Sequence, residues 1–584
     1  MKRDTKLLLQ FLARYKGRYA VGGIFLACSD IGQLIIPDLI RRVVDGLGAR
    51  TIAPDQIKYY ALGIAGCALF TACARYGWRI FVFGTARRVE QAMRQKLFDH
   101  LQTLDTRFYL KSKVGDLMAH ATNDVQALRG VAGEGFMAGF DAIAMFSGAA
   151  AMMLFTVDWR LGLAALLPML VLPWISYQIG NRLHHWYAKV QDSFSLMSDR
   201  VQENVAGMRV VKGFVREDQQ RAHFAEANDQ YRQHYTRMVR YDRAFDPVIN
   251  ALAGTSFAIG LGLGGWMVLQ GQLTLGQYIA FNTYLGFMIW PMLAIGWVMN
   301  MLQRATASMG RLQALFDATS EVADSPDSVA LSAPEGRLSL RHLTFRYAPE
   351  LPAAIDGLDL EVAPGRTVGI LGSTGSGKTT LANLLVRLFD APEGQVLLDG
   401  VDVNRIKVGD LRRAIAYVPQ DSFLFSRTIA DNVAFGPDDH AEPDVREAAR
   451  LAQLHADVQS FPEGYQTMLG ERGITLSGGQ RQRVSIARAL LKDAKVLVLD
   501  DCLSAVDTLT ESRILAELRP YMATRTTVLI SHRVSALQHA DEIVVLDRGR
   551  VTERGTHADL VARGGEYARL HRKQQLEAAI EGMQ

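Results

Sequence analysis

The sequence predicts two unlike halves: an α-helical transmembrane domain of six spans, followed by a soluble α/β domain built around a P-loop. Three observations carry this expectation. Six mostly apolar windows, each of roughly the 20 residues that cross a bilayer, all end by residue 302. All seven Trp lie between Trp78 and Trp297, and 17 of the 20 Met precede Gly310, so the first three hundred residues differ in kind from the rest. After a polar stretch the pattern turns to short strands alternating with amphipathic helices. At 584 residues the chain is several times the size of one domain. Its 49% hydrophobic and 21% charged residues exclude a disordered or collagen-like chain. A net charge of +4 is too weak to argue for nucleic acid as a partner.

Residues 1–18, MKRDTKLLLQFLARYKGR, are basic and amphipathic, and predict an interfacial helix. No small-residue cleavage site follows, so a removed signal peptide is not expected. The spans are placed at about 19–40, 59–84, 134–156, 160–181, 247–269 and 277–302, within a transmembrane domain over 19–319. The polar segments after spans two and four, 85–133 and 183–246, are long and rich in Arg and Lys. Positive charge marks the cytoplasmic side, which puts both termini and the second domain inside the cell, with Arg41 and Arg42 as the exception. Helical periodicity in ARRVEQAMRQKLFDHLQTL (86–104) predicts that the spanning helices continue into the cytoplasm.

Asp30, Asp38, Arg79 and Asp141 are charges at membrane depth. An Asp141–Arg79 pair is expected to hold spans together, and Asp30 is the candidate contact for a cationic substrate. Met145, Met152, Phe281, Phe287, Trp290 and Trp297 suit an apolar ligand, although such residues in spans more often pack or face lipid. Cys28, Cys67, Cys73 and Cys502 have no metal-like spacing and are expected as small hydrophobes. The acidic, Pro-containing stretch 320–336 is the expected linker, and 337–584 the soluble domain.

TVGILGSTGSGKTT (367–380) is an apolar strand, a Gly-rich turn and a helix start. Gly372, Gly375 and Gly377 let backbone N–H groups close around phosphate oxygens, with Ser373, Thr374, Ser376 and Thr380 completing the run. Lys378 is placed to neutralise the β and γ phosphates, and the Thr379 hydroxyl to ligate Mg²⁺. VLVLDD (496–501) is a buried strand ending in two carboxylates, of which Asp500 is placed to hold the Mg²⁺ shell. Between them, Leu476, Ser477, Gly478, Gly479 and Gln480 open another helix, a second anion-binding N-terminus. Two such helix ends with one P-loop suggest that the second serves another subunit.

LSGGQ followed by RQR, upstream of VLVLDD and downstream of a P-loop, resembles the nucleotide-binding domain of an ABC transporter. The resemblance covers nearly the whole chain. It implies ATP and Mg²⁺ as cofactors, Tyr347 as the residue stacking on adenine, and Gln420 as the Q-loop glutamine that also reaches Mg²⁺. It implies GERG (470–473) as the segment before the signature, Ser504 to Asp507 as the D-loop, and His532 as the switch histidine. RFYLKSKVGDLMAHATNDV (107–125) and GMRVVKGFVREDQQ (207–220) look like the two cytoplasmic coupling regions of exporters.

One position departs from the family pattern. The residue after the Mg²⁺-binding Asp is normally Glu, the general base or water-orienting group; here it is Asp501. One methylene fewer withdraws the carboxylate by about 1.5 Å, so ATP binding should survive while hydrolysis is slow. The resemblance runs to the A-type chains of paired multidrug-resistance-like half-transporters. It implies a heterodimer in the cytoplasmic membrane, in which this chain supplies its signature to a second half-transporter with the active site, and a small hydrophobic substrate. The alternatives are a homodimeric lipid or peptide exporter, or an ATP-gated channel or sensor.

Overall fold

A computed structural model describes residues 12–436, 441–470 and 476–581. Residues 1–11 of the expected interfacial helix and 471–473 of the segment before the signature lie outside that set. The chain divides into two compact units. One gathers the described residues up to Thr103 together with Ser112–Ala318; the other holds Leu104–Lys111 and the residues from Thr319 onward.

The first unit is helical. Among the described residues six helices are long and apolar enough to cross a membrane: α1 (Lys16–Gly48), α2 (Pro54–Thr103), α4 (Val114–Val157), α5 (Trp159–Ala206), α7 (Glu217–Leu269) and α8 (Leu275–Phe316). Short α6 (Met208–Gly213) lies in one of the two regions that resemble coupling elements; short α3 (Thr106–Lys111), in the other, belongs to the second unit. At 1.5 Å per residue the 48 residues of α5 extend about 72 Å, far more than a bilayer core, so the polar segments are helical continuations of the spans. Pro37 deprives the preceding turn of α1 of a backbone donor, and the Leu34 carbonyl there accepts a bond of 3.0 Å from Tyr284 Oη on α8. Phe281, Tyr284 and Leu285 are fully buried against Met145, Met153, Leu161 and Met169. Phe281 and Met145 are therefore packing residues, whereas Trp290 and Trp297 are exposed.

The charges at membrane depth pair differently from the sequence expectation. Arg79 stacks over the Trp78 ring, 5.6 Å from its centroid, and Asp141 instead faces Asp30, Trp290 and Arg75. Arg75 lies one helical turn before Arg79, and that turn decides which guanidinium meets α4. Asp38 accepts from both Arg41 and Arg42 at 2.9 Å, which offsets one of the two positive charges that stood out on the outer side.

The second unit holds two sheets. A four-stranded antiparallel sheet runs in the order β2 (Ile355–Val362), β1 (Leu338–Phe345), β4 (Val396–Leu398), β5 (Val401–Asp402). A six-stranded sheet runs β10 (Arg550–Gly555), β9 (Glu542–Asp547), β3 (Thr367–Gly372), β8 (Thr526–Ile530), β7 (Val496–Asp500), β6 (Ile415–Val418). All its pairings are parallel except β10 with β9. The continuous apolar runs VLVLD and TTVLI are buried along their whole length, as strands covered on both faces must be. Of the expected linker, 320–336, residues 323–336 run along this domain rather than free of it. The Ala323 carbonyl accepts from Arg387, Asp324 accepts from Val408 N at 2.7 Å, and Gly336 N donates to Asp399 at 2.9 Å.

Candidate active site

Four neighbouring parallel strands explain why residues far apart in sequence meet. β3, β8, β7 and β6 lie side by side, about 4.8 Å apart, and each ends at the same edge of the sheet. β3 runs into the Gly-rich loop, β8 stops two residues before His532, β7 ends at Asp500, and β6 stops two residues before Gln420. Ligands of open α/β sheets bind beyond this carboxyl edge.

The loop can be tight because two of its glycines cannot be replaced. A Cβ on Gly372 would stand 2.4 Å from the Leu546 carbonyl oxygen, and one on Gly377, whose φ is +102°, would stand 2.4 Å from that of Ala354. Gly377 opens α9 (Lys378–Leu385), whose first N–H groups face the loop. Lys378 Nζ folds back to donate to the carbonyls of Gly372 and Ser373 at 2.7 and 2.8 Å. Its burial lowers the ammonium pKa, against the upward pull of Asp501 and Asp500.

Asp500 is wholly buried, and among the described residues neither carboxylate oxygen has a hydrogen-bond partner. Burial pushes it up to about 6, aided by Asp501 and opposed by Thr379 and Lys378. A buried, unpartnered carboxylate beside a threonine hydroxyl is costly unless something completes it, and a hard oxygen-seeking cation such as Mg²⁺ fits that donor set. Asp501 differs in each respect. His532 Nδ1–H donates to its two oxygens at 2.8 and 3.1 Å, and Gln420 Nε2 stands 3.5 Å from Oδ2. Its backbone is clamped, with N–H donating to the Ile530 carbonyl at 2.9 Å and φ at +46°.

These groups line one cavity of about 380 Å³, formed by Tyr347, Thr374, Gly375, Gly377, Lys378, Thr379, Thr380, Gln420, Asp500, Asp501 and His532, with Ala354, which the sequence did not single out. Tyr347 is held edge-on by Phe345 and Phe389, with its Oη 3.0 Å from Thr380 Oγ1. Gly372, Ser373 and Ser376 shape the loop from behind, the Ser376 carbonyl accepting from Gly549 N at 3.0 Å.

Leu476 to Gln480, Ser504 and Asp507 form a second cluster apart from that lining. Ser477 caps α10 (Gly478–Leu491) reciprocally: its Oγ accepts from Gln480 N at 3.2 Å, and its N donates to Gln480 Oε1 at 3.0 Å. Asp507 caps α11 (Thr508–Met522) by accepting from Thr510 N at 2.9 Å, and that bond holds its carboxyl below the usual range. Gln482 joins the two turns, donating to Ser504 Oγ at 3.1 Å and accepting from Ala505 N at 2.9 Å. Arg533 donates to the carbonyls of Ser504 and Val506 and to the buried Glu511. On α12 (Glu566–Glu581), Gln574 accepts from Val534 N at 2.8 Å and donates to the His532 carbonyl at 2.9 Å. The sequence did not single out Gln482, Arg533 or Gln574. The RQR that follows LSGGQ, and the Arg directly after the switch histidine, are the signals that pointed to the first two.

A P-loop ATPase domain that follows six membrane-spanning helices in one chain defines a membrane-bound ATP-driven transporter. The chain belongs to the ABC transporters: the ABC transporter transmembrane region matches residues 19–292, and the ABC transporter ATPase model residues 355–504. It is 37% identical to the probable multidrug resistance ABC transporter ATP-binding/permease protein YheI of Bacillus subtilis, over 99% of this chain and 98% of that one. It is 39% identical to the multidrug resistance-like ATP-binding protein MdlA of Escherichia coli, over 97% and 95% of the two chains. An ATP-dependent lipid A-core flippase of Syntrophus aciditrophicus is 31% identical over 97% and 94%. The solved structure of a bacterial Atm1-family ABC exporter with ATP bound superposes with a TM-score of 0.77 at 28% identity, covering 95% of this chain and 98% of the other. The protein is thus an ABC exporter that couples hydrolysis of ATP, with Mg²⁺, to transport, and its ATPase domain is cytoplasmic. ABC exporters act as dimers.

Proposed function

We propose that this chain is one half of a heterodimeric exporter of small hydrophobic compounds. It binds ATP in a slow site of its own and lends an intact LSGGQ signature to the active site of a second half-transporter. The observation that carries the proposal is Asp501, a carboxylate one methylene shorter than the family's Glu on a backbone that has no slack to compensate.

In this reading the loop N–H groups and Lys378 hold the β and γ phosphates, and Tyr347 meets the adenine. Thr379, Asp500 and Gln420 would hold Mg²⁺, which when bound would neutralise charge on the phosphates. His532 and Gln420 position Asp501 rather than leaving it free to approach a water. A base must lie within about 2.6–3.2 Å of the proton it takes, and a carboxylate shortened by about 1.5 Å would fall short of that range. Ser477 to Gln480, capped on α10 and tied to the D-loop through Gln482, stand ready to close on the partner's nucleotide. Closure of two such interfaces would shift the population of the membrane helices, and hydrolysis at the partner's site would reset it. The names of the multidrug-type relatives support a hydrophobic substrate, and the lipid A-core flippase relative favours the homodimeric lipid exporter as second reading.

Native mass spectrometry of the complex extracted from its own membranes tests this. Two chains of different mass, the second with Glu at the position corresponding to Asp501, are expected. A complex of two copies of this 64.5 kDa chain supports the homodimer instead.

A further inference from the structure

The ATPase domain holds another cavity, of about 350 Å³, close in size to the nucleotide cavity and within the range of sites for small molecules. It lies toward the amino edge of the six-stranded sheet, away from the nucleotide: among its lining residues, Thr367 opens β3 and Asp541 directly precedes β9. Its floor is apolar and buried, made by Leu515 and Met522 of α11, Leu529 of β8 and Ala536. Its rim is polar and exposed, made by Arg366, Arg519, His539 and Asp541. Leu515, Arg519 and Met522 are spaced by four and then three residues, so one face of α11 supplies both floor and rim.

The rim has a cation to spare. Asp541 is the one carboxylate in the lining, and both its oxygens are taken, by Arg366 Nη1 at 2.6 Å and by Thr367 N at 2.8 Å. Arg519 makes no ion pair among the described residues. His539 is its neighbour. Partial desolvation, then the Arg519 guanidinium and the His557 ring, hold the His539 imidazole below its usual pKa. His557 is bonded to Tyr567 Oη at 2.7 Å, and the His571 ring stands 5.1 Å behind it. The groups that face His539 are thus cationic or can become so, and the rim's carboxylate is already spent on Arg366.

We infer that this cavity is an effector site for a small organic acid, with its carboxylate between Arg519 and His539 and its apolar body on Leu515, Met522, Leu529 and Ala536. The acid supplies the counter-charge that the rim lacks. It also favours the protonated imidazole, so binding takes up a proton. Three walls of the cavity lead from the nucleotide side of the domain: α11 starts directly after Asp507, β8 stops two residues before His532, and the short helix Val534–Leu537, which carries Ala536, starts two residues after it. An occupant wedged among them therefore acts on the placement of His532 and the D-loop. The inference goes beyond the proposed function and is the same for either partner.

The test is equilibrium binding to the purified complex, with phenylbutyrate, phenylbutylamine and acetate as probes. Phenylbutyrate should bind at least about tenfold tighter than the amine of like shape or the head group alone. Arg519 is exposed, so its variants should fold. Arg519→Ala should erase the preference over the amine, Arg519→Lys should retain most of it, and Arg519→Glu should reverse it. Phenylbutyrate stays ionised between pH 8 and pH 6, and over that fall its affinity should rise at least about twofold, as the proton it recruits becomes available; His539→Gln should flatten the rise. Phosphate release by the complex should change at least about twofold when phenylbutyrate saturates the natural chain, and not in Arg519→Ala. Equal affinity for the acid and the amine, acetate binding as well as phenylbutyrate, or an unchanged preference in Arg519→Glu overturns the site. Binding that leaves phosphate release unaltered overturns its role as an effector. None of these outcomes depends on whether the complex has one kind of chain or two, so the heterodimer proposal can fail while this one stands, and the reverse.

Discussion

Replacing Asp501 with Glu should restore to this site the hydrolysis that one methylene removes. Asp501 Oδ1 already lies 2.8 Å from His532 Nδ1, so an added methylene cannot be taken up along that line. The backbone cannot retreat either, because Asp501 N–H is bonded to the Ile530 carbonyl at 2.9 Å, between two buried strands. The longer side chain must carry its carboxylate about 1.5 Å further into the 380 Å³ cavity, toward the space before Lys378 and Thr379. A misplacement of 1 Å costs about a hundredfold in rate, so the gain should be about that size, or about 2.7 kcal/mol in the barrier. The assay is phosphate release by the complex when the partner's own base has been changed to Gln, so that only this chain's site turns over. ATP affinity should stay the same, because Lys378, Thr379 and Asp500 are untouched. A rate that stays flat or falls in Asp501→Glu would refute the argument that distance limits this site.

Asp500→Asn removes the buried carboxylate that fits Mg²⁺. Calorimetry should show Mg²⁺-dependent ATP binding weakened by at least about tenfold, since even the loss of a ligand's supporting partner costs 10–100-fold, with little change in binding measured in EDTA. Gln574→Leu cuts both bonds that hold the backbone around His532. At about 1 kcal/mol each, their loss should lower kcat in an Asp501→Glu background by up to roughly thirtyfold with KM nearly unchanged, and Gln574→Glu, which keeps the bond from Val534 N, should recover part of it. Asp105 accepts backbone N–H bonds from Phe108 and Glu321, and these outweigh the opposing effect of burial to hold its carboxyl below the usual range. A depressed carboxylate stabilises the fold above its unfolded value and loses that contribution as the pH falls through its folded value. The melting temperature of Asp105→Asn should therefore lie below that of the natural chain at pH 7, and the gap should shrink as the pH is taken below about 3.9. Asp30 is 3% exposed and sits among Asp141 and Arg75. Asp30→Asn should thus change export of cationic and neutral compounds alike; a selective loss of cations would instead support the expected contact with a cationic substrate.

What was legible in the sequence follows from how local each signal is. Spans are runs of apolar residues, and the P-loop, signature and strand-terminal carboxylates are contiguous words whose chemistry needs those residues at that spacing. The convergence of Tyr347, Gln420, Asp500 and His532 is not local. It was available only through resemblance; the strand order β3-β8-β7-β6 is its physical cause for Gln420, Asp500 and His532, while Tyr347 follows β1 of the antiparallel sheet. Pairings between helices were the least legible. Whether Arg75 or Arg79 meets Asp141 depends on the rotation of one helix against another, which a single turn reverses. Gln482 and Gln574 were overlooked because a neutral amide looks like surface until its two partners are seen. The segment 323–336 has a linker's composition, and only its bonds to Arg387, Val408 and Asp399 show that it belongs to the soluble domain.

The division of labour between two unlike chains is tested most directly by phosphate release from this polypeptide purified alone, with Mg²⁺ and ATP, beside its Asp501→Asn form. The account predicts slow release from both, differing little, although each binds nucleotide. Fast release by the natural chain that vanishes in Asp501→Asn would contradict it, because the short carboxylate would then be working as a full catalytic base without any companion.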